Sequence, residues 1–161
     1  MNTVIHERPG VYSSYDASNI IRGNRAVRGI GAAAKSASGT PGVPVTLTSY
    51  EAGLSAFGED VPGAPGMSTL LRLLFLGGAS TVTAVAVEGE DYAGAFAALQ
   101  EMEDIQVVVC DSGELSVQQA LRESVEAASA ARRERIAVVG MEGAKVTDLT
   151  ARAKELNSER K

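Results

Sequence analysis

The stretch Val82–Val87, which reads Val-Thr-Ala-Val-Ala-Val, decides the fold of this chain. Apart from its threonine it is apolar on both faces, which is typical of a strand buried in the middle of a sheet. Ile105–Cys110 has a similar composition, and Ile136–Val139 predicts a third strand. Helical stretches separate these strands. Such alternation predicts βαβ units with parallel strands and right-handed crossovers.

The helices between and after these strands are predicted from apolar residues at helical spacing. Asp91–Met102 is rich in alanine, and a capping-box pattern at Ser116–Gln119 begins a helix that runs to about Arg133. Thr147–Asn157 predicts a last helix. The residues expected on the buried stripes of these helices are Phe96, Leu99, Leu121, Val125, Ala128, Leu149, Ala153 and Leu156.

The residues before Val82 predict two further strands and two further helices. Ala26–Lys35 and Val43–Leu47 have the composition of strands, with Ser-Ala-Ser-Gly-Thr-Pro-Gly as the turn between them. Thr48 begins a capping-box pattern for a short helix, and Ser68 is the expected cap of the next helix. Together the elements predict an α/β fold with a mixed, largely parallel sheet and helices on both faces.

Residues 1–25 differ from the rest of the chain because no helical period runs through them. They contain short apolar islands separated by Arg8-Pro9-Gly10 and by a Ser-Ser-Tyr-Asp-Ala-Ser-Asn stretch. We expect an extended arm over residues 1–25 and an α/β domain over residues 26–161. The last helix points to a following strand, so the domain is expected to be cut short at Lys161. The apolar residues of the arm are Val4, Ile5, Val11, Tyr12, Ile20 and Ile21.

The composition argues against several classes of function. A net charge of −5, with no stripe of basic residues, argues against a nucleic-acid partner. Arg132-Arg133-Glu134-Arg135 is interpreted as a set of cations at a helix C-terminus. No apolar run approaches the roughly 18 residues of a transmembrane helix, and the N-terminus lacks a secretory signal pattern. We therefore expect a soluble protein made in the cytoplasm, without a membrane partner.

No pattern in the sequence predicts a cofactor or a metal. Gly29-Ile-Gly31-Ala-Ala-Ala34 fits a loose dinucleotide fingerprint, but the residues after it cannot continue as a helix. A glycine-containing strand packed close to a neighbour is the preferred interpretation. Cys110, the single cysteine, is expected to be a core residue, because the only histidine is His6 in the arm. We expect no catalytic residues and no enzyme.

Asp111 is the strongest candidate for chemistry, because it follows a buried strand where doubly wound folds place functional acids. Such a site needs further acids and a lysine at neighbouring strand ends. Those ends read Glu88-Gly-Glu90 and Gly140-Met-Glu142, where no lysine is evident. The preferred interpretation is a polar turn. The alternative hypothesis is a small doubly wound enzyme, or a nucleotide- or phosphate-binding domain, centred on Asp111.

Five stretches, in order along nearly the whole chain, resemble contractile tail sheath proteins of phages and related bacterial particles. The first is Arg8-Pro9-Gly10-Val11-Tyr12, which is similar to the R-P-G-x-Y opening of that family. The sequence is most similar to the type found in phages and prophages of Gram-positive bacteria. The other four stretches are Arg28–Ala32, Pro44–Gly58, Phe75–Val87 and Ala153–Arg160.

The resemblance implies a structural subunit of a virion tail, assembled in the host bacterial cytoplasm as helical rings around a tail tube. Its partners would be other copies of itself and the tube and baseplate proteins. A tail-associated adaptor built on the same domain is a weaker possibility. Sheath subunits are longer and have a further C-terminal domain, which this chain is expected to lack. The arm residues that the resemblance places on neighbouring subunits are Val4, Ile5, Arg8, Pro9, Gly10, Val11 and Tyr12.

Overall fold

A five-stranded sheet forms the centre of the protein in a computed structural model that describes residues 29–64, 66–141 and 145–157. The strands are β1 (Gly29–Lys35), β2 (Pro44–Leu47), β3 (Val82–Val87), β4 (Ile105–Cys110) and β5 (Ile136–Val138). The helices are α1 (Tyr50–Phe57), α2 (Met67–Leu76), α3 (Tyr92–Gln100), α4 (Leu115–Ala130) and α5 (Val146–Leu156).

The strand order is β2-β3-β1-β4-β5. β1 lies in the middle and is parallel to β3 on one side and to β4 on the other. β5 continues the parallel arrangement beside β4, and β2 is antiparallel to β3 at the opposite edge. The predicted α/β fold with a mixed, largely parallel sheet is therefore confirmed.

Helices cover both faces of the sheet, as predicted. α3 and α4 pack on one face against Val85, Val108 and Ala137, while α1 and α2 pack on the other face against Ala84 and Ala86. β3 is buried along its whole length, which confirms its interpretation as a central strand. The predicted stripes of α3 and α4 are also confirmed, because Phe96, Leu99, Leu121, Val125 and Ala128 are all buried.

The glycines that suggested a dinucleotide fingerprint belong to β1. A Cβ atom on Gly29 would lie 2.3 Å from the backbone oxygen of Asp104, and one on Gly31 would lie 3.1 Å from the Ile105 side chain. Since no helix begins after Gly31 and β1 runs on to Lys35, no helix N-terminus is available there for a pyrophosphate. The interpretation as a strand packed close to a neighbour is confirmed.

Two predicted capping boxes are wrong. α1 is capped by Ser49, one residue after Thr48, and the Ser49 hydroxyl accepts a hydrogen bond from the Ala52 backbone N–H at 3.2 Å. Ser116 lies inside α4, which begins at Leu115 with no side-chain cap. The first residue of a helix can differ from the predicted one by one or two positions, because several polar residues near each helix start can act as the N-cap.

The start of α2 differs from the prediction that Ser68 caps it. The Asp60 carboxylate accepts hydrogen bonds from the backbone N–H groups of Gly66, Ser68 and Thr69 at 2.9, 3.0 and 2.7 Å. The Ser68 hydroxyl instead lies 3.2 Å from the Tyr50 hydroxyl, on the side of α2 that faces α1. Asp60, in the loop before α2, therefore caps this helix in place of Ser68. A sequence pattern confined to the start of the helix cannot reveal such a cap.

The predicted buried stripe of α5 is largely wrong. Leu156 is buried, but Ala153 is exposed and Leu149 is 45% exposed. α5 approaches α4 near its C-terminal end, where Arg122 donates a hydrogen bond to the Leu156 carbonyl at 3.0 Å. The helix therefore has an apolar stripe that the described part of the chain covers only at one end.

Arg135 is not a surface cation at the end of α4, and this part of the prediction is wrong. Its side chain is buried and donates hydrogen bonds to the carbonyl groups of Leu99, Gln100 and Met102. These carbonyls terminate α3, so Arg135 supplies the donors that the last turn of that helix lacks.

The described helices include none that is both long and apolar enough to cross a membrane.

Candidate functional site

The seven arm residues predicted to mediate assembly lie outside the described residues, and so does His6. Two other features of the described residues bear on function. One is the cleft at the carboxyl ends of β4 and β5, where the alternative hypothesis places its chemistry. The other is the free edge of the sheet at β5. The arm residues concerned are Val4, Ile5, Arg8, Pro9, Gly10, Val11 and Tyr12.

The strand-end cleft opens where β4 and β5 finish, and it has a volume of about 650 Å³. Doubly wound folds bind ligands at this end of the sheet. Half of the residues that line it have polar or charged side chains. They are Cys110, Asp111, Ser112, Gly113, Glu114, Gly140, Met141 and Arg152.

Asp111 uses both carboxylate oxygens for contacts within the protein. Oδ2 accepts a hydrogen bond from the Lys35 backbone N–H at 3.0 Å, and Oδ1 accepts one from the Tyr92 hydroxyl at 2.7 Å. Burial, followed by this hydrogen bond to Asp111, raises the pKa of Tyr92 well above its ordinary value. The carboxylate therefore joins the ends of β1 and β4 to the first turn of α3, as expected of a polar structural turn.

A lysine does end a strand beside Asp111, and the prediction that none is present is wrong. Lys35 is the last residue of β1, which neighbours β4. The sequence did not reveal that Lys35 is near Asp111, because β1 comes early in the chain yet lies between β3 and β4 in the sheet. Its ammonium group lies 3.8 Å from Glu90, and both side chains are largely exposed. An exposed pair of this kind contributes little to stability.

Cys110 lies partly buried at the cleft wall, packed against the core cluster formed with α3 and α4. Burial raises the pKa of its thiol to about 11, so the thiol is protonated at neutral pH and is a poor nucleophile. Among the described residues there is no group of three histidine, cysteine or acidic side chains that could hold a metal ion.

A hydrogen-bonded pair at the back of the cleft was not predicted from the sequence. Arg152 donates hydrogen bonds to the Gly113 carbonyl and to the Gln118 side-chain oxygen, both at 2.9 Å. Gln118 is buried in α4 and donates to the Gly140 carbonyl at 2.8 Å. These contacts tie α5 and the strand-end loops to α4.

The outer edge of the sheet at β5 is free in the described part of the chain, where β5 pairs with β4 alone. Unpaired backbone N–H and C=O groups on such an edge are a template for another strand. β2 forms the opposite edge, but its first residue is Pro44, which has no N–H to donate. β5 is therefore the better acceptor for an added strand.

No family model matches this chain, and no curated protein matches it. A solved structure does: the helical sheath of the anti-feeding prophage in its contracted state, determined by cryo-EM. The two superpose with a TM-score of 0.58 at 18% sequence identity, over 88% of this chain and 42% of that one. This chain has the fold of a sheath protein.

The sheath-type fold agrees with the resemblance that the sequence predicted. An identity of 18% establishes the likeness of fold. The chain spans less than half the length of the sheath chain it matches. The likeness to the sheath type of Gram-positive phages stays a prediction.

Proposed function

We propose that this chain is a structural subunit of a contractile tail sheath. The observation that carries the proposal is the sheath-type fold, which extends over 88% of the chain. The polar groups at the strand ends support it, because Asp111, Arg152 and Gln118 are engaged in internal hydrogen bonds. Polar side chains that hold the protein's own helices and strands together are expected in a structural subunit.

Assembly in this proposal uses the arm over residues 1–25. Val4, Ile5, Val11 and Tyr12 gain burial, and their backbone groups gain partners, when the arm adds a strand to the sheet of a neighbouring copy. The free edge of β5 offers such a place. A head-to-tail contact of this kind does not close in pairs, so it builds rings or helical filaments.

The finer parts of the proposal follow from the sequence resemblance. The subunit forms helical rings around a tail tube in the virion tail of a Gram-positive phage or prophage, after assembly in the bacterial cytoplasm. Its further partners are the tube and baseplate proteins. Contraction energy is stored between alternative packings of the subunits.

The experiment compares the full chain with a variant that lacks residues 1–16 and with a full-length variant in which Val4, Ile5, Val11 and Tyr12 are all serine. Sedimentation velocity and negative-stain microscopy over a range of concentrations measure polymer formation. The full chain is expected to form rings or tubes. Both variants are expected to remain monomers with an unchanged circular dichroism spectrum.

A matched control replaces two exposed valines of the described domain, Val43 and Val61, by serine. This variant is expected to polymerise like the full chain, because neither valine belongs to the arm. Polymers formed equally well without the arm residues would contradict the proposed role of the arm. A full chain that stays monomeric at every concentration would contradict the proposed function.

The place of the strand-end cleft favours one competing function, a small phosphate- or nucleotide-binding domain centred on Asp111. Thermal-shift measurements with inorganic phosphate, nucleotides and divalent metal ions separate the two functions. We expect no saturable shift in melting temperature. A saturable shift that Asp111→Ala abolishes would favour the binding domain.

A further inference from the structure

On the face that carries α1 and α2, the described helices cover β2, β3 and β1 and bury Val109 of β4, but they leave β5 exposed. The parallel register places Val107 beside Ile136 and Val109 beside Val138 on this face. Ile136 is 50% exposed and Val138 is 54% exposed. Four β-branched side chains thus form a continuous apolar floor.

α2 forms a wall along this floor. The contacts of Leu71 and Ser68 with α1 place α1 on one flank of α2. At 100° per residue, Leu70 and Leu74 lie on the opposite flank, towards β4 and β5. Both side chains are half-buried. We name this floor and wall the β4–β5 groove.

The chain that enters the sheet beside this groove supplies an occupant. Gly29 donates a backbone hydrogen bond to the Asp104 carbonyl at 3.1 Å, so β1 begins next to the start of β4, one strand away from β5. Eight residues span up to about 26 Å, whereas neighbouring strands lie only about 5 Å apart. Ile20 and Ile21 are therefore tethered within reach of the groove.

We propose that Ile20 and Ile21 dock in the β4–β5 groove of their own chain. A short tether gives the segment an effective concentration in the millimolar range, which favours its own groove over the groove of a separate copy. Two isoleucines match an apolar floor of β-branched side chains. Docking removes the exposed apolar surface of Ile136 and Val138 from water.

Charge on both sides of the contact supports this occupant. Arg22, Arg25 and Arg28 are the only charged residues between positions 20 and 28. The loop over residues 101–104, which contacts Gly29, carries Glu101, Glu103 and Asp104 and no cation. All three acidic residues are exposed. Opposite charges flanking the apolar contact fix its direction and exclude like-charged segments.

This docking divides the arm into two parts. Ile20 and Ile21 anchor its base to the domain, while Val4, Ile5, Val11 and Tyr12 lie further along and remain available to a neighbouring copy. The inference does not rest on the proposed sheath function. The chain can polymerise although Ile20 and Ile21 do not dock, and Ile20 and Ile21 can dock although the chain never polymerises. Failure of one proposal is therefore distinguishable from failure of the other.

The experiment is a disulfide trap in the full chain. Cys110→Ala removes the native thiol, and Ile21→Cys is combined with Val138→Cys. The control pair combines Ile21→Cys with Val43→Cys, since Val43 is similarly exposed but precedes β2 at the opposite edge of the sheet. The sample is an equal mixture of ¹⁵N-labelled and unlabelled chains, which is oxidised mildly at low protein concentration. Mass spectrometry then distinguishes disulfide bonds within one chain from disulfide bonds between chains.

We expect the Val138 pair to close within one chain at a yield that does not depend on concentration, and the Val43 pair to close at least several-fold less. Three results would overturn the proposal. They are bonds between chains only, which would show a second copy in the groove; equal closure of both pairs; and no closure at all.

A second measurement avoids engineered cysteines. Melting temperatures are compared for wild type, for Ile20→Ser with Ile21→Ser, for Ile136→Ser, and for all three changes together. If the isoleucines occupy the groove, each set alone lowers the melting temperature by several degrees and the combination adds little more. Additive shifts, or no shift from the Ile20 and Ile21 changes, would overturn the proposal.

Discussion

Tyr92 donates a hydrogen bond to Asp111 across the end of the sheet, with 2.7 Å between the phenolic oxygen and Oδ1. The other carboxylate oxygen accepts the Lys35 backbone N–H at 3.0 Å. One side chain therefore joins β1, β4 and α3 at the position where a doubly wound enzyme would place a reactive acid. In this protein the carboxylate holds elements together.

Asp111→Ala is expected to destabilise the fold by about 1–3 kcal/mol, because it leaves the Tyr92 hydroxyl and the Lys35 N–H without their acceptor. Urea denaturation followed by circular dichroism measures the change. Glu114→Ala, at an exposed position in the same cleft, is the control and is expected to have a small effect. Equal stability of wild type and Asp111→Ala would show that these hydrogen bonds contribute nothing.

Asp60→Ala is expected to loosen the start of α2 at a cost of about 1–2 kcal/mol, the usual range for the loss of a helix cap. Partial burial acts to raise the pKa of Asp60, but hydrogen bonds from Gly66, Thr69 and Ser68 outweigh it and hold the pKa below its ordinary value. A lowered folded-state pKa means that the stabilisation is complete above the unfolded-state pKa, about 4, and is lost as the pH falls through the folded-state pKa.

The stability difference between wild type and Asp60→Ala is therefore expected to be largest near neutral pH and to shrink below about pH 4. Urea midpoints measured between about pH 7 and pH 2.5 test this. Glu59→Ala removes the neighbouring exposed carboxylate and serves as the control. A difference that stays constant across this range would rule out the carboxylate as the cap.

Gly29→Ala is expected to cost about 1–3 kcal/mol or more, because the added Cβ would lie 2.3 Å from the carbonyl oxygen of Asp104, the residue before β4. Gly140→Ala is the matched control, since a Cβ there has no atom within 4 Å. Thermal unfolding measures both. Similar melting temperatures for the two variants would mean that β1 and β4 separate more easily than the structure indicates.

Arg135→Lys is expected to destabilise the fold by about 1–3 kcal/mol although the charge is kept. An ammonium group cannot reproduce the fork with which the guanidinium reaches the carbonyls of Leu99, Gln100 and Met102. Arg72→Lys, at an exposed position on α2, is the control. Chemical denaturation compares them, and an Arg135→Lys variant as stable as its control would show that charge alone suffices.

The elements with strong local patterns were predictable. β3 and β4 were recognised as buried strands because almost all of their side chains are apolar, and the buried stripes of α3 and α4 followed from helical spacing. The caps were predicted poorly. Asp60 caps α2 from six residues before Gly66, and Arg135 terminates a helix more than thirty residues earlier in the chain. Contacts between residues so far apart in sequence leave no local signal.

The sequence by itself determined the class of fold, because the number of apolar strands and their alternation with helices admit few arrangements. Only the tertiary structure decided the strand order. It inserted β1 between β3 and β4, which placed Lys35 beside Asp111 and made β5 an edge strand among the described residues. The physical reason is that hydrophobic periodicity specifies which side chains are buried, whereas their neighbours are chosen by packing between distant segments.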